Sequence, residues 1–355
     1  MVGGVGRAAD RPVSRGAPIA VAAIRRVLVR TPNWLGDTVM AVPTLRALRQ
    51  ALPDAELWCV GPWAPTILEA EPGMTRRLDY PRTWGARRAL AGELRRAGVD
   101  LAVLLPNSFE SALHAWLAGA RWRVGYAGDG RRALLTHALA APGGRAHQVA
   151  VYLDLLRVLR VAAPPALPTL HVSPARRDEA RRLLDATGLG GGQGAVGIQL
   201  GAAFGPSKLW PPDRVAALAA ALEREGTPVV FLGSPTAAPL LGDVARELPG
   251  PVRSLVGRDH PALLPALLAE LECLVSPDSG PAHVAAAVGV PVVTLFGPTD
   301  PRLAAPMGEG HAALWRRPPC APCFRPRCPI DHRCLRDLGV AEVLAAVRVR
   351  FGRPR

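Results

Sequence analysis

The segment GPSKLWP (205–211) contains the only lysine among the 43 basic residues of the chain. Lys carries a compact charge on a flexible stem, whereas Arg is a planar fork, so a lone Lys208 indicates a site that needs a small ammonium group. A solvated loop charge left by mutational accident is the alternative. Small residues precede it and would let backbone amides approach a ligand closely: Gly201, Ala202, Ala203 and Gly205. The spacing of these glycines and Lys208 is not that of a Walker A loop. We expect the nearby Trp210 to pack in the core.

A second anion-binding pattern lies in SPDSGPAH (276–283). Ser279 and Gly280 precede a predicted helix with a proline in its first turn, and helix N-termini bind anions through free amides. His283 would face the same ligand, whereas packing of His283 and simple capping by Asp278 are the alternatives. Two anion-binding loops in one domain suit a nucleoside diphosphate. The chain has no DxD pair for a metal clamp, so Lys208 and the helix start would neutralise a leaving diphosphate.

An acidic residue follows the first predicted strand in RTPNWLGDTVM (30–40). Ligands of open α/β sheets bind beyond the carboxyl ends of the strands, which would place Asp37 at the mouth of a cleft. Asp is also a favoured helix N-cap. The position of Asp37 in the sequence, taken alone, favours a role as helix N-cap.

Four closely spaced cysteines, Cys320, Cys323, Cys328 and Cys334, lie in CAPCFRPRCPIDHRCL. Together with His332 they could hold zinc or an iron–sulfur cluster. The spacing is not that of a standard zinc finger, and we favour the alternative of reduced thiols or one local disulfide. Six cysteines in so long a chain do not suggest a disulfide framework, which indicates a reducing cytosol.

Short apolar runs alternate with helical patterns along the chain. The predicted strands are 26–30, 56–61, 100–105, 195–200, 228–233, 272–276 and 291–296, and the predicted helices include 38–51, 108–118, 213–225 and 262–270. Apolar strands separated by helices predict parallel sheets with helices on both faces. The pattern occurs twice, with a proline-rich linker at 161–170, so we predict an α/β protein of two Rossmann-like domains facing each other across a cleft.

The net charge of +14 is concentrated in residues 1–170, which carry 22 Arg against 12 acidic residues. This excess predicts an anionic partner, although a general bias toward arginine is the alternative. Few aromatic residues and no DNA-binding motif argue against nucleic acid. The sequence shows no secretory signal and no apolar run long enough to span a membrane.

Taken together, residues 25–350 resemble the lipopolysaccharide heptosyltransferases of glycosyltransferase family 9. The resemblance rests on NWLGDTVMAVPTLRAL, GAAFGPSKLWP, SPDSGPAHVAAAVGVPVVTLFGPTDP and the Cys-rich tail, and it is greatest to the heptosyltransferase II branch. It implies a GT-B fold and inverting transfer of heptose from ADP-heptose to the inner core of lipopolysaccharide, without a required cofactor. We expect a disordered tail over 1–23, an acceptor domain over 24–165, a donor domain over 171–340 with the Cys-rich segment 320–335, and a helix in 341–355 that packs back on the first domain.

The resemblance also implies roles for individual residues. Asp37 matches the family's proposed catalytic base, which reverses the preference for capping. Lys208 matches the lysine that contacts the diphosphate, and Asp278 matches the acidic residue that hydrogen-bonds the donor sugar. Further donor contacts are expected at Ala203, Phe204, Ser279, Gly280 and His283. The acceptor, a Kdo-bearing phosphorylated lipid A, would meet residues chosen from Asn33, Trp34, Arg121, Arg123, Arg131, Arg132, Arg145 and His147 at the cytosolic face of the inner membrane.

One segment departs from the family pattern. Family members often carry a ribose-binding acid after the strand that matches 228–233, but GSPTAAPL (233–240) has none. Independently of this segment, three alternative functions stay open: a family 9 transferase with another nucleotide sugar or acceptor, a GT-B-like epimerase of UDP-N-acetylglucosamine, and a non-catalytic nucleotide-sugar-binding scaffold. The presence of both Asp37 and Lys208 argues against the scaffold.

Overall fold

The computed structural model describes residues 18–142, 146–161, 163, 166–190 and 194–350. The chain divides into two compact units. The first contains the chain up to Asn33, Pro43–Pro65 and Gly73–Pro165, and the second contains Trp34–Val42, Thr66–Pro72 and the chain from Ala166 onward. The short helix that carries Asp37 therefore belongs to the second unit, although it follows the first strand of the first unit in the chain.

The first unit is built on a six-stranded parallel sheet. Its strands are β1 (Arg26–Arg30), β2 (Glu56–Val60), β3 (Arg76–Leu78), β4 (Leu101–Leu104), β5 (Trp122–Tyr126) and β6 (His137–Leu139). Their spatial order, β3-β2-β1-β4-β5-β6, is that of a doubly wound sheet. The central strands are buried at almost every residue, because helices cover both faces of a parallel sheet.

Six helices accompany these strands in the chain: α1 (Leu35–Met40), α2 (Val42–Ala51), α3 (Ala64–Ile67), α4 (Trp84–Ala97), α5 (Phe109–Leu117) and α6 (Gln148–Asp154). Local sequence explains where the longest of them begins and ends. The Thr83 hydroxyl accepts a hydrogen bond from the Ala86 amide at the start of α4, and Gly98 ends α4 in the left-handed conformation.

The second unit has a five-stranded parallel sheet. Its strands are β7 (Val196–Gln199), β8 (Val229–Leu232), β9 (Cys273–Pro277), β10 (Val292–Phe296) and β11 (Ala312–Trp315), in the order β11-β10-β9-β7-β8. Its helices are α7 (Pro174–Asp185), α8 (Pro212–Arg224), α9 (Ala238–Arg246), α10 (Leu264–Ala269), α11 (Gly280–Ala287), α12 (Pro301–Ala304), α13 (Arg333–Arg336) and α14 (Val340–Arg350). The seven predicted strands are all present within one or two residues, and the predicted α/β class with parallel sheets is confirmed.

The structure differs from the predictions at both ends. Ile19 is buried and Val21–Ala23 form a 3₁₀ turn, so the predicted disordered tail does not extend to residue 23; residues 1–17 lie outside the described part of the chain. Helix α14 buries Val343 and Val347 in the core of the second unit, whereas packing on the first domain was expected; the two valines are four residues apart and therefore share one helix face. No helix of the described residues has both the length and the apolar character needed to cross a membrane.

Candidate active site

Lys208 is held by Asp278 at the carboxyl edge of the second sheet. The Lys208 Nζ donates hydrogen bonds to the Asp278 backbone oxygen at 2.9 Å and to its Oδ2 at 2.6 Å. It also lies over the Phe204 ring, 4.9 Å from the centroid. The Lys208 side chain is only 12% exposed. The alternative of a solvated loop charge is therefore wrong.

The Asp278 carboxylate joins two neighbouring loops. Asp278 follows β9, and its Oδ2 also accepts a hydrogen bond from the Thr299 hydroxyl at 2.6 Å, in the loop after β10. Its carboxylate therefore ties Lys208 to Thr299 and does not merely cap a helix, as one alternative held. The N-cap of α11 is Ser279, whose hydroxyl pairs with Ser276 at 3.0 Å and makes no cap hydrogen bond.

Asp37 lies in the same electrostatic environment. Burial is the main cause that raises the pKa of its carboxyl group from 3.8 to about 6; the negative charge of Asp278 raises it further, while Lys208 opposes the shift. Helix α1 has Trp34 as its N-cap and no cap hydrogen bond from a side chain, and Asp37 is its third residue. The capping interpretation of Asp37 is therefore wrong.

Two glycines allow α1 to approach α11. A Cβ atom on Gly36 would lie 2.7 Å from Cδ2 of His283, and one on Gly280 would lie 2.7 Å from the side chain of Leu35. Any side chain at these two positions would push the helix starts apart. His283 is 6% exposed and packs at this contact. The approach of the two helix starts is consistent with the electrostatic interaction of Asp37 with Lys208 and Asp278.

The Cys-rich segment supports the loop that carries Lys208. Ser207 donates from its amide to the Pro326 oxygen at 3.1 Å and from its hydroxyl to the Arg325 oxygen at 2.6 Å. A ring nitrogen of His332 hydrogen-bonds the Ser207 oxygen at 2.7 Å. Gly205 adopts a φ of +142°, and a Cβ atom there would lie 2.5 Å from the Pro326 oxygen. This segment therefore fixes the backbone beside Lys208.

The four cysteines of that segment line one cavity together with Ser207, Pro298 and His332. Their thiols are unpaired by disulfides, and only Cys334 is buried. Within the described residues, which include all four cysteines, no group of three or more His, Cys, Asp or Glu side chains is arranged to hold a metal ion.

The predicted acceptor residues are spread over the molecule. Asn33 follows β1 and accepts a hydrogen bond from Arg30 at 2.6 Å, whereas Trp34, in the second unit, is 55% exposed. Arg121 stacks over Trp122, 4.4 Å from the ring centroid, and Arg123 donates to the Leu134 oxygen at 2.6 Å. Arg121 and Arg123 lie at the amino end of β5, so the structure does not bring them together with Asn33 at the carboxyl edge.

Of the four further basic candidates, the structure describes three. Arg131 is fully buried and donates to the Tyr126 oxygen at 2.8 Å and to the Asn107 side chain at 3.0 Å, so the prediction that it meets an acceptor is wrong. Its burial lowers the pKa of the guanidinium to about 10. His147 caps α6 by accepting the Val149 amide at 3.3 Å. Arg145 lies outside the described residues, and Arg132 is exposed.

The sequence prediction missed a basic and aromatic cluster at the carboxyl edge of the first sheet. Buried Arg30 lies over the Tyr80 ring at 3.8 Å, and the Tyr80 hydroxyl donates to Glu110 at 2.8 Å. Burial lowers the pKa of Arg30. The sequence does contain a signal for this cluster, because Arg30 is a charged residue at the end of an otherwise apolar strand.

Comparison with known proteins agrees with this geometry. Residues 87–333 match the model of glycosyltransferase family 9 (heptosyltransferase). The chain is 32% identical to lipopolysaccharide heptosyltransferase 2 of Escherichia coli K12 and 30% identical to lipooligosaccharide heptosyltransferase 2 of Haemophilus influenzae, in both cases over 80% of this chain and 86% of the relative. The solved structure of E. coli ADP-heptose lps heptosyltransferase II superposes with a TM-score of 0.77 and 28% identity, over 91% of this chain and 98% of that one. With its two parallel-sheet domains of the GT-B type, the chain belongs to glycosyltransferase family 9 and is a glycosyltransferase.

Proposed function

We propose that this enzyme transfers heptose from ADP-heptose to the inner core of lipopolysaccharide, as heptosyltransferase 2 does. The observation that carries the proposal is the grouping of a carboxylate of raised pKa, Asp37, with the ion pair of Lys208 and the buried Asp278. A base that titrates near neutral pH and a fixed cation are what an inverting transfer to a hydroxyl group requires. The names of the relatives supply the donor and the acceptor.

In the proposed reaction a single displacement occurs at the anomeric carbon of heptose. The acceptor hydroxyl oxygen bonds to that carbon while the bond to the diphosphate oxygen breaks, which inverts the configuration. Asp37 takes the proton of the hydroxyl group, and the electron pair leaves with ADP. Because Asp37 is ionised above about pH 6, it is ready to accept a proton at neutral pH.

Lys208 neutralises the departing diphosphate. Its ammonium group is already oriented by Asp278 and by the Phe204 ring, so little reorganisation is needed when charge develops on the leaving group. The start of α11 adds the Gly280 amide and the positive end of the helix dipole. Asp278 would hydrogen-bond the donor sugar, and the remaining donor contacts are proposed at Ala203, Phe204, Ser279 and His283.

The anionic acceptor is proposed to bind the basic first unit. Asn33, Trp34, Arg121, Arg123, Arg145 and His147 stay the candidates, and Kdo-bearing phosphorylated lipid A is the proposed acceptor. Since residues 1–170 carry 22 Arg against 12 acidic residues, attraction to anionic lipid supports a peripheral location at the cytosolic face of the inner membrane. A salt wash that releases the protein from membranes would support this location, and retention after carbonate washing would contradict it.

The proposed chemistry runs through protein side chains alone. Zinc or an iron–sulfur cluster at the Cys-rich segment remains a separate proposal, supported only by the four thiols around one cavity. Elemental analysis of protein purified under reducing conditions tests it, with Cys328→Ser as the comparison.

Donor binding tests the proposed function. Calorimetry with ADP, UDP and GDP should show selective binding of ADP, and the loss of the Lys208 charge in Lys208→Ala should weaken that binding. A folded protein that binds none of the three nucleotides would contradict the proposal.

A further inference from the structure

An acidic side chain reaches the end of β8 from a different part of the chain. The segment 233–240 that follows β8 has no acidic residue. Asp259, which is 26 positions further along, accepts a hydrogen bond from the Gly233 amide on its Oδ2 at 3.0 Å. The carboxylate therefore occupies the carboxyl end of β8 without belonging to the loop that follows it.

The backbone before Asp259 runs parallel to β8 and fixes this position. Phe231 donates to the Arg253 oxygen at 2.9 Å, and Leu255 donates back to the Phe231 oxygen at 2.8 Å. The Gly257 amide then donates to the Gly233 oxygen at 2.7 Å. Gly233 has a φ of +158° and no space for a side chain, since a Cβ atom would lie 2.9 Å from the Ala237 Cβ. Asp259 is thus held at the edge of the sheet by a continuous set of backbone hydrogen bonds.

The end of β8 adjoins the loop that leads to Lys208. β7 and β8 are hydrogen-bonded neighbours, and a Cβ atom on Gly233 would lie 3.8 Å from the Leu200 side chain at the start of that loop. From β9 through β7 to β8, the carboxyl edge therefore presents Asp278, the Lys208 loop and Asp259 in that order. In a nucleoside diphosphate the ribose is bonded directly to the diphosphate. A diphosphate at Lys208 consequently places the ribose toward one neighbouring strand end.

We propose that Asp259 is a donor-binding residue whose carboxylate accepts a hydrogen bond from a ribose hydroxyl group of the nucleotide. In doubly wound sheets, an acidic residue near the phosphate-binding turn commonly makes this contact. The inference rests on the proposed function, because it requires the diphosphate to bind at Lys208. Burial raises the pKa of Asp259 to about 6, so the carboxylate is ionised at the pH of the binding assays.

The test compares two ligands on three proteins. ADP and 2′,3′-dideoxy-ADP differ only in the ribose hydroxyl groups, and calorimetry at about pH 8 measures the Kd of each for wild type, Asp259→Asn and Asp259→Ala. Asp259→Asn keeps an oxygen for the Gly233 amide but removes the charge. Asp243→Asn, on α9 and with its side chain 45% exposed, is the control for a change of net charge.

Loss of a hydrogen bond to a charged group predicts that Asp259→Ala weakens ADP binding by about tenfold or more. Its binding of 2′,3′-dideoxy-ADP should equal that of wild type within about twofold, and Asp259→Asn should weaken ADP binding by less. Equal weakening of both ligands would overturn the inference in favour of a role confined to holding Gly233. Unchanged ADP binding would overturn it as well and leave the proposed function intact. Failure of wild type to bind ADP would overturn both.

Discussion

Replacing Asp37 by Asn should make the protein more stable while removing its activity. The pKa of Asp37 rises from 3.8 to about 6 on folding, chiefly because its carboxylate is buried. At about 1.4 kcal/mol for each pH unit, this difference corresponds to about 3 kcal/mol of unfavourable free energy once the folded protein holds an ionised Asp37. Asn has nearly the same shape and no charge, so it avoids this cost.

The pH dependence has a definite sign. Between pH 3.8 and about 6 the folded protein keeps a proton that the unfolded chain has lost, so the Asp37 contribution to stability falls as the pH rises through this window. Above about pH 6 the penalty is complete. Asp37→Asn should therefore exceed wild type in the free energy of unfolding by up to about 3 kcal/mol at about pH 7.5, and the difference should vanish below about pH 4.

Urea denaturation of both proteins at a series of pH values measures this difference. Asp243→Asn serves as the control, because the Asp243 side chain is 45% exposed and its replacement should change stability little at any pH. Heptose transfer by Asp37→Asn should fall by about 10²- to 10⁴-fold, the usual contribution of a general base. A variant that is no more stable than wild type at about pH 7.5, or a stability difference that does not change with pH, would refute the account of the Asp37 environment.

Three further predictions concern the same unit. Lys208→Arg should bind ADP as weakly as Lys208→Ala in calorimetry, because a planar fork does not fit a site where a compact ammonium group donates to both the backbone oxygen and the Oδ2 of Asp278. Wild-type affinity in Lys208→Arg would contradict this. Thr299→Val should lower kcat/KM by about 3- to 10-fold through loss of its hydrogen bond to Asp278, and an unchanged kcat/KM would show that this bond does not orient the carboxylate. Gly36→Ala should lower the free energy of unfolding by about 1 to 3 kcal/mol, because the added Cβ would lie 2.7 Å from the Cδ2 of His283. The control Gly92→Ala, in α4 with open space around it, should raise the free energy of unfolding by about 0.5 to 1 kcal/mol.

The sequence predicted the fold well because both sheets are parallel. Strands of a parallel sheet are buried on both faces and appear as apolar runs, as β1 and β10 do. Four of the described strands, β3, β5, β6 and β11, were not predicted. Of these, β3 reads Arg-Arg-Leu and lies at the edge, where its side chains are only partly buried. The sequence alone did not indicate that α14 contributes to the core of the second unit, because an apolar helix face does not determine which core it packs against.

The candidate site was predicted only as separate segments. The sequence indicated that Lys208, Asp278 and Asp37 each follow a strand, and resemblance to the family supplied their roles. Their grouping depends on Gly36 and Gly280, whose missing side chains allow two helix starts to approach. No local pattern reports such a contact. Asp259 was not predicted for the same reason, since it reaches β8 through backbone pairing with a later segment.

Direct observation of heptose transfer tests the central claim. Purified wild type and Asp37→Asn would be incubated with ADP-heptose and lipopolysaccharide truncated within its inner core, and the products would be examined by mass spectrometry and by NMR of the new linkage. The account predicts that wild type adds one heptose with inversion at the anomeric carbon and releases ADP, while Asp37→Asn, although folded and able to bind ADP, adds almost none. Transfer by Asp37→Asn at the wild-type rate, or transfer with retention of configuration, would contradict it.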